Sequence, residues 1–233
     1  MANENKMHDL IVEKTIPKNA AEVFRAIGEG RLFLNCSADT ELLKIDFKVG
    51  GKYSIEFLNY NMKNHGEFLE IIPNQKIVFT WCQDYDSNPI PDTKVVIILK
   101  DVGGKTALTL THTGFTDLEN KDAHQGGWNG GLDDLREEIS NGKLRLARKY
   151  SLPVEKLYEI CKSPKSEITG DVIESVPNKK IVIKMGETKV TLLFDTEDDK
   201  SSSWIELLHE GLKTETQQKT QRAGWDSLLK QLK

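Results

Sequence analysis

At 233 residues the chain has room for one large or two ordinary domains, and its 38% hydrophobic and 29% charged residues are the balance of a globular protein with no run of about 18 apolar residues to span a bilayer. A net charge of −4 without a dense basic patch argues against nucleic acid as a partner. The polar start, Met1 to Asp9, lacks the apolar core of a secretion signal, which points to the cytoplasm, and Cys36, Cys82 and Cys161, odd in number and far apart, form neither a disulfide framework nor a zinc knuckle.

In chain order, Leu10 to Ile16 reads as a strand ended by Pro17-Lys18-Asn19, and Asn19 is placed to cap a helix over Ala20 to Ile27. A loop-rich stretch without a clean period runs to Asp46, with Leu32, Phe33, Leu34, Leu42 and Leu43 as apolar anchors. Gly50-Gly51 turns into a strand, Lys52 to Leu58, in which Tyr53, Ile55 and Phe57 share a face. Gly66 to Ile72 and Lys76 to Trp81 form a hairpin around Pro73-Asn74, where proline presets one backbone angle and asparagine tolerates the bend. Ile77, Phe79 and Trp81 face one way and Val78, Thr80 and Cys82 the other. Strands over Lys94 to Lys100 and Thr106 to Thr113 flank Gly103-Gly104.

A helix from about Asp117 to Asn141 carries Trp128, Leu132, Leu135 and Ile139 at the spacing of one buried face. Gly126, Gly127, Gly130 and Gly131 fall inside it. They imply close backbone approach to the sheet, a bend, or a helix that begins only near Trp128. Asp133, Asp134, Glu137 and Glu138, on the side away from Trp128, read as a solvated acidic face.

The pattern then restarts. A strand near Lys143 to Leu152 and a helix Val154 to Cys161 lead into Gly170 to Lys184, which matches Gly66 to Thr80 at seven of fifteen positions. Glu70 and Glu174 both stand before the Pro-Asn turn and read as structural. His112-x-Gly and Gly127-Trp128 return as His209-x-Gly and Gly224-Trp225, and Leu132 and Leu135 as Leu229 and Leu232. The counterpart of about Arg31 to Lys63 is missing. Two units are expected, 1–142 and 143–233, the second a shortened copy with a bare sheet edge that needs covering by the first unit or another chain. The first carries 15 Lys and Arg against 22 Asp and Glu and the second 17 against 14, an asymmetry able to steer them together.

The motifs Asp46-x-x-x-Gly-Gly51-Lys-Tyr, Gly66-x-x-x-Glu-x-x-Pro-x-x-Lys-Ile-Val-x-Thr-Trp81, Thr109-Leu-Thr-His112-x-Gly-Phe and Gly127-Trp128-x-x-x-Leu-x-x-Leu135 occur in this order. Together they resemble the family similar to the C-terminal domain of the activator of the ninety-kilodalton heat-shock chaperone's ATPase, within the helix-grip, START-like superfamily of lipid and polyketide binders. The resemblance implies an α+β fold of two tandem helix-grip units, each a curved antiparallel sheet packed on a long C-terminal helix, the second lacking about two strands. It also implies an apolar cavity in the first unit. The tryptophans usual after the first helix are absent from Arg31 to Asn35, and so is the activators' separate N-terminal domain, which counts against direct ATPase stimulation.

Facing places Tyr53, Phe57, Phe79, Trp81, Ile97, Leu108, Leu110 and His112 of the sheet opposite Trp128, Leu132 and Leu135 of the helix. These are the candidate ligand-binding residues, with a core role as the plainer alternative. His112 is either a polar anchor or proton shuttle, or a strand-end histidine bonded to the following turn. No phosphate loop, metal spacing or nucleophile elbow occurs, so no cofactor, metal or catalytic residue is expected. The reading is a non-catalytic binder of a small apolar ligand. The alternatives are a co-chaperone-like module for a chaperone or client, or a hydrolase, cyclase or isomerase with His112 or Tyr53 as acid or base.

Overall fold

Alternation and a capped first turn start the fold. In the computed structural model, which describes residues 7–34, 43–57, 62–84, 90–163, 168–196 and 201–232, β1 (His8–Ile16) buries Leu10, Val12 and Ile16 and exposes their neighbours, the period of a strand with one dry face. The helix α1 (Ala20–Gly28) begins where the Asn19 side chain accepts the Glu22 backbone N–H at 3.0 Å, satisfying a donor that the first turn cannot pair internally. The loop-rich stretch holds one turn of helix, α2 (Arg31–Leu34), which buries Leu32 and Phe33. A single turn has no period to read, so sequence pattern could not reveal it. Cys36 and Leu42 lie outside the described residues.

β2 (Lys44–Ile45), β3 (Lys52–Phe57), β4 (Met62–Ile72), β5 (Lys76–Asp84), β6 (Ile90–Val102) and β7 (Lys105–Phe115) join β1 in one antiparallel sheet ordered β1-β7-β6-β5-β4-β3-β2. β4 starts four residues before the expected Gly66, and β5 runs on to Asp84. That extension brings Asn64 and Gln83 into the sheet. The helix α3 (Leu118–Asn141) is continuous and capped by the Asp117 carboxylate on the Asn120 N–H at 2.8 Å, so all four glycines are interior. Close approach does not explain three of them, because a Cβ at Gly126, Gly127 or Gly130 would meet no atom within 4 Å. Each weakens the helix by about 1 kcal/mol relative to alanine.

The second sheet repeats this order without its far end. β8 (Leu144–Tyr150), α4 (Val154–Lys162), β9 (Asp171–Val176), β10 (Lys180–Met185), β11 (Thr188–Thr196), β12 (Ser203–Glu210) and α5 (Glu215–Gln231) give five strands ordered β8-β12-β11-β10-β9. Asn74 and Asn178 take the same left-handed turn, with φ of 63° and 60°. Glu70–Lys76 at 2.6 Å and Glu174–Lys180 at 2.8 Å bridge the two hairpins, which accounts for both glutamates structurally. Among the described residues the strands β2 and β3 have no counterpart, and β9 stands at the edge of the sheet. Val172 of β9 is 54% exposed, whereas its counterpart Phe68 is buried against Phe47 and Tyr53.

Each sheet has its own apolar core, and charged side chains join them. Glu138 is not on a solvated face as expected: it is 2% exposed, bonded by Arg31 Nε at 2.8 Å and by the Arg222 guanidinium of α5. Asp134–Arg145 at 2.8 Å and Arg25–Glu215 at 2.9 Å flank this triad. Asp134 and Glu138 of the acidic stripe thus meet bases of the more basic part of the chain, while Asp133 pairs with Lys14 of β1 at 2.8 Å. No described helix is long and apolar enough to cross a membrane.

Removing the central carboxylate takes the nearest counter-charge from two desolvated guanidiniums, leaving Arg31 only the longer contact to Glu29 at 3.8 Å among the described ion pairs. Glu138→Gln is expected to lower stability by about 3–5 kcal/mol, whereas Asp134→Asn, at a half-exposed pair, should lower it by about 1 kcal/mol or less. Urea denaturation of the two variants measures the difference, and equal losses would show that burial of the triad is not what matters.

Candidate functional site

The strand β7 turns His112 inward, opposite Val95 of β6, where it is fully buried. The Trp128 indole N–H of α3 donates to His112 Nδ1 at 3.1 Å. That bond places the ring proton on Nε2, which lies 2.6 Å from Thr93 Oγ1 and donates to it. The Thr93 hydroxyl in turn donates a hydrogen bond to the Trp81 carbonyl at 2.8 Å. Burial, aided by the neighbouring His124, pushes the His112 pKa down to about 3, so the imidazole is neutral and both nitrogens are engaged.

The same four positions act in the second unit. Trp225 donates to His209 Nδ1 at 2.9 Å, His209 Nε2 lies 2.9 Å from Thr188 Oγ1, and Thr188 donates to the Met185 carbonyl at 2.9 Å. His112 is bonded to the closing helix and the adjacent strand rather than to the following turn. Sequence reasoning passed over Thr93 and Thr188, although both open a Thr-Lys-Val tripeptide at matching places.

In front of this relay lies a cavity of about 300 Å³ between strands β3 to β5 and the first half of α3. Of the residues singled out from sequence, Phe57, Trp81 and Trp128 line it. Tyr53, Phe79, Ile97, Leu108, Leu110, Leu132 and Leu135 are buried in the packed core behind it, and the Tyr53 hydroxyl is committed to the Thr80 carbonyl at 2.6 Å. Phe33 from α2 fills the centre, stacked on Tyr53 at 5.8 Å and edge-on to Phe79. Close packing there leaves space only toward the end of the sheet where β4 and β5 extend.

Three polar side chains also reach the cavity: Asn64, Gln83 and His124. His124 is saturated, since its Nδ1–H donates to the Asn120 carbonyl at 2.8 Å and its Nε2 accepts the Trp81 indole at 3.2 Å. Burial lowers its pKa. The carboxamides differ. Asn64 is 0% exposed, and neither its nitrogen nor its oxygen has a partner among the described residues. Gln83, its cross-strand neighbour, spends its N–H on the Met62 sulfur and leaves its oxygen without a partner. Each unmet group is worth about 1–3 kcal/mol of desolvation. Gln83 was detectable as the polar residue that continues the inward series Ile77, Phe79, Trp81.

A larger space of about 550 Å³ lies between the units, but its charges satisfy one another, as in Lys18–Glu22, Arg25–Glu215 and Lys213–Glu187. The smaller cavity therefore holds the candidate site. Its groups can donate and accept hydrogen bonds. Among the described lining residues the titratable one is His124, both of whose nitrogens are already bonded.

Burial of the neutral relay makes stability depend on pH. Between the ordinary histidine value of 6.5 and about 3, the unfolded chain takes up a proton that native His112 does not. The relay's contribution is therefore complete above pH 6.5 and lost as pH falls toward 3, by about 1.4 kcal/mol per pH unit for one histidine. His124 and His209, shifted the same way by burial, add to the slope. Denaturation at pH 7, 6, 5 and 4 should show His112→Gln less stable than the parent at pH 7 but with a shallower pH dependence, and an unchanged slope would contradict this.

The family model of activator of Hsp90 ATPase homolog 1-like proteins matches residues 18–140. Among solved structures, protein Mll3558 from Rhizobium loti is 25% identical with a TM-score of 0.51, over 57% of this chain and 97% of that one. CalU16 from Micromonospora echinospora is 23% identical with a TM-score of 0.46, over 57% and 77%. DynU16, from the dynemicin biosynthetic locus, is 14% identical with a TM-score of 0.49, over 95% and 96%. No curated protein sequence matches the chain. The family match runs from before α1 into the last turn of α3 and takes in more than half of the residues, so this chain belongs to the activator of Hsp90 ATPase homolog 1-like family.

Proposed function

We propose that the first unit is a non-catalytic binding module for a small, mostly apolar molecule carrying one hydrogen-bonding edge, and that the second unit is a shortened duplicate packed beside it. The observation that carries the reading is the unmet Asn64 carboxamide beside the unmet Gln83 oxygen, in a cavity otherwise walled by Phe33, Phe57, Met62, Trp81, Trp128 and the saturated His124. A protein gains nothing in its own stability from a buried amide without partners. A ligand that supplies them recovers that desolvation.

Asn64 offers an NH2 donor group and a carbonyl acceptor side by side, and Gln83 adds an acceptor. The complementary edge on a ligand is an adjacent donor and acceptor, as in a lactam, a primary amide or a neutral carboxylic acid. The aromatic walls favour a flat ring system. A volume of about 300 Å³ is at the small end of ligand pockets, which run from about 300 to 1,000 Å³. Membership of the family supports a cavity-bearing fold, while the ligand has to be argued from the site. Gly127 contributes here, because its missing side chain leaves the helix wall open toward the cavity.

Binding is tested with isoquinolin-1-one, a bicyclic lactam, against naphthalene, which has the same shape without the edge. Quenching of Trp81 and Trp128 fluorescence should report tighter binding of the lactam. Asn64→Leu should weaken lactam binding by about tenfold to a hundredfold yet leave the ligand-free protein as stable as the parent or more so. A variant that is destabilised and still binds the lactam normally would show that Asn64 serves the fold and not a ligand.

A further inference from the structure

The alternation that turns Asn64 and Gln83 inward turns His65, Cys82 and Asp84 to the outer face of the same two strands. His65 of β4 and Cys82 of β5 are directly opposed, and Asp84 follows Cys82 by two residues on the same side. His65 Nε2 is 3.4 Å from Asp84 Oδ2. One ligand atom from each of the three lies within 4.8 Å of the others. Cys82 is half-buried and in no disulfide. Lys63, the cross-strand neighbour of Asp84, directs its ammonium to Glu56 at 4.0 Å.

We infer that His65, Cys82 and Asp84 form a three-ligand site for a zinc-class divalent cation. Tetrahedral zinc, with bonds of about 2.0–2.3 Å, sets its ligand atoms roughly 3.3–3.8 Å apart. The His65–Asp84 separation already has that value, and the thiol reaches it by a small side-chain adjustment. Imidazole, thiolate and carboxylate together select a borderline cation such as Zn²⁺ or Co²⁺ over Mg²⁺ or Ca²⁺, which prefer oxygen alone. Binding deprotonates the Cys82 thiol, its proton passing to solvent, and leaves a fourth position for water. Because two of the ligands come from β5 and one from β4, the cation joins the strands directly behind the two inward carboxamides. The site stands whether or not the cavity takes a ligand.

The test is a Co²⁺ titration of the full chain, reduced and without any cavity ligand, followed by thiolate-to-cobalt charge-transfer absorption. One equivalent should saturate the signal, and Zn²⁺ should displace it. Cys82→Ser should abolish the absorption, and His65→Ala and Asp84→Ala should each weaken binding by about tenfold or more, given that even groups behind the ligands are worth 10–100-fold. These side chains face outward, so circular dichroism of each variant should match the parent. No thiolate absorption in the parent, absorption that survives Cys82→Ser, or affinity unchanged in His65→Ala would each overturn the assignment.

Discussion

The hydrogen bond from the Trp128 indole to neutral His112 sets the geometry of the first unit. Four interior glycines make α3 a poor helix on its own, so its position comes from tertiary contact. Leu132 and Leu135 supply apolar burial, which holds a helix against a sheet but tolerates sliding. The relay does not. An indole N–H, two ring nitrogens, a threonine hydroxyl and a carbonyl must all pair at once, and a displaced helix would leave them buried and unmet.

The second unit shows which parts of the design are separable. It keeps the relay through Trp225, His209 and Thr188 and keeps the order of five strands, yet among the described residues it has no counterpart of α2, β2 or β3. Those are the elements that bring Phe33 and Phe57 to the cavity. The grip on the helix therefore does not require α2 and β3, which supply part of the cavity wall. The absence has a structural consequence in β9, whose Val172 is exposed where its counterpart Phe68 is buried against Tyr53 of β3 and Phe47. Attachment to the first unit falls elsewhere, to the buried charges around Glu138.

With the Gln83 oxygen, Asn64 stands apart from the satisfied polar groups around the cavity. Where His112, His124, Tyr53 and Thr93 each find partners, its carboxamide has none among the described residues. A fold that completes a four-member relay twice can place a leucine at one more inward position. The amide there costs the free protein a desolvation that an apolar side chain would not.

Much of the fold was legible because strands and helices write their facing into sequence with fixed periods. Leu10, Val12 and Ile16, the Pro-Asn turns, the stripe from Trp128 to Ile139 and the recurrence after Gly170 all follow from local spacing. Local spacing does not carry the distance between facing layers. It placed Tyr53, Leu108 and Trp128 on one inner surface but could not say that the first two are packed solid and the third borders a cavity. It set Glu138 opposite Trp128 on α3, where only the arrival of Arg222, 84 residues later, turns a solvated face into a buried triad. It likewise could not join His65 to Cys82, since strand register, fixed by the whole sheet, decides which residues meet across a ladder. The sequence by itself determined the elements and the side each residue faces; tertiary structure decided what each face meets, because contact depends on how separate elements dock and not on the period within any of them.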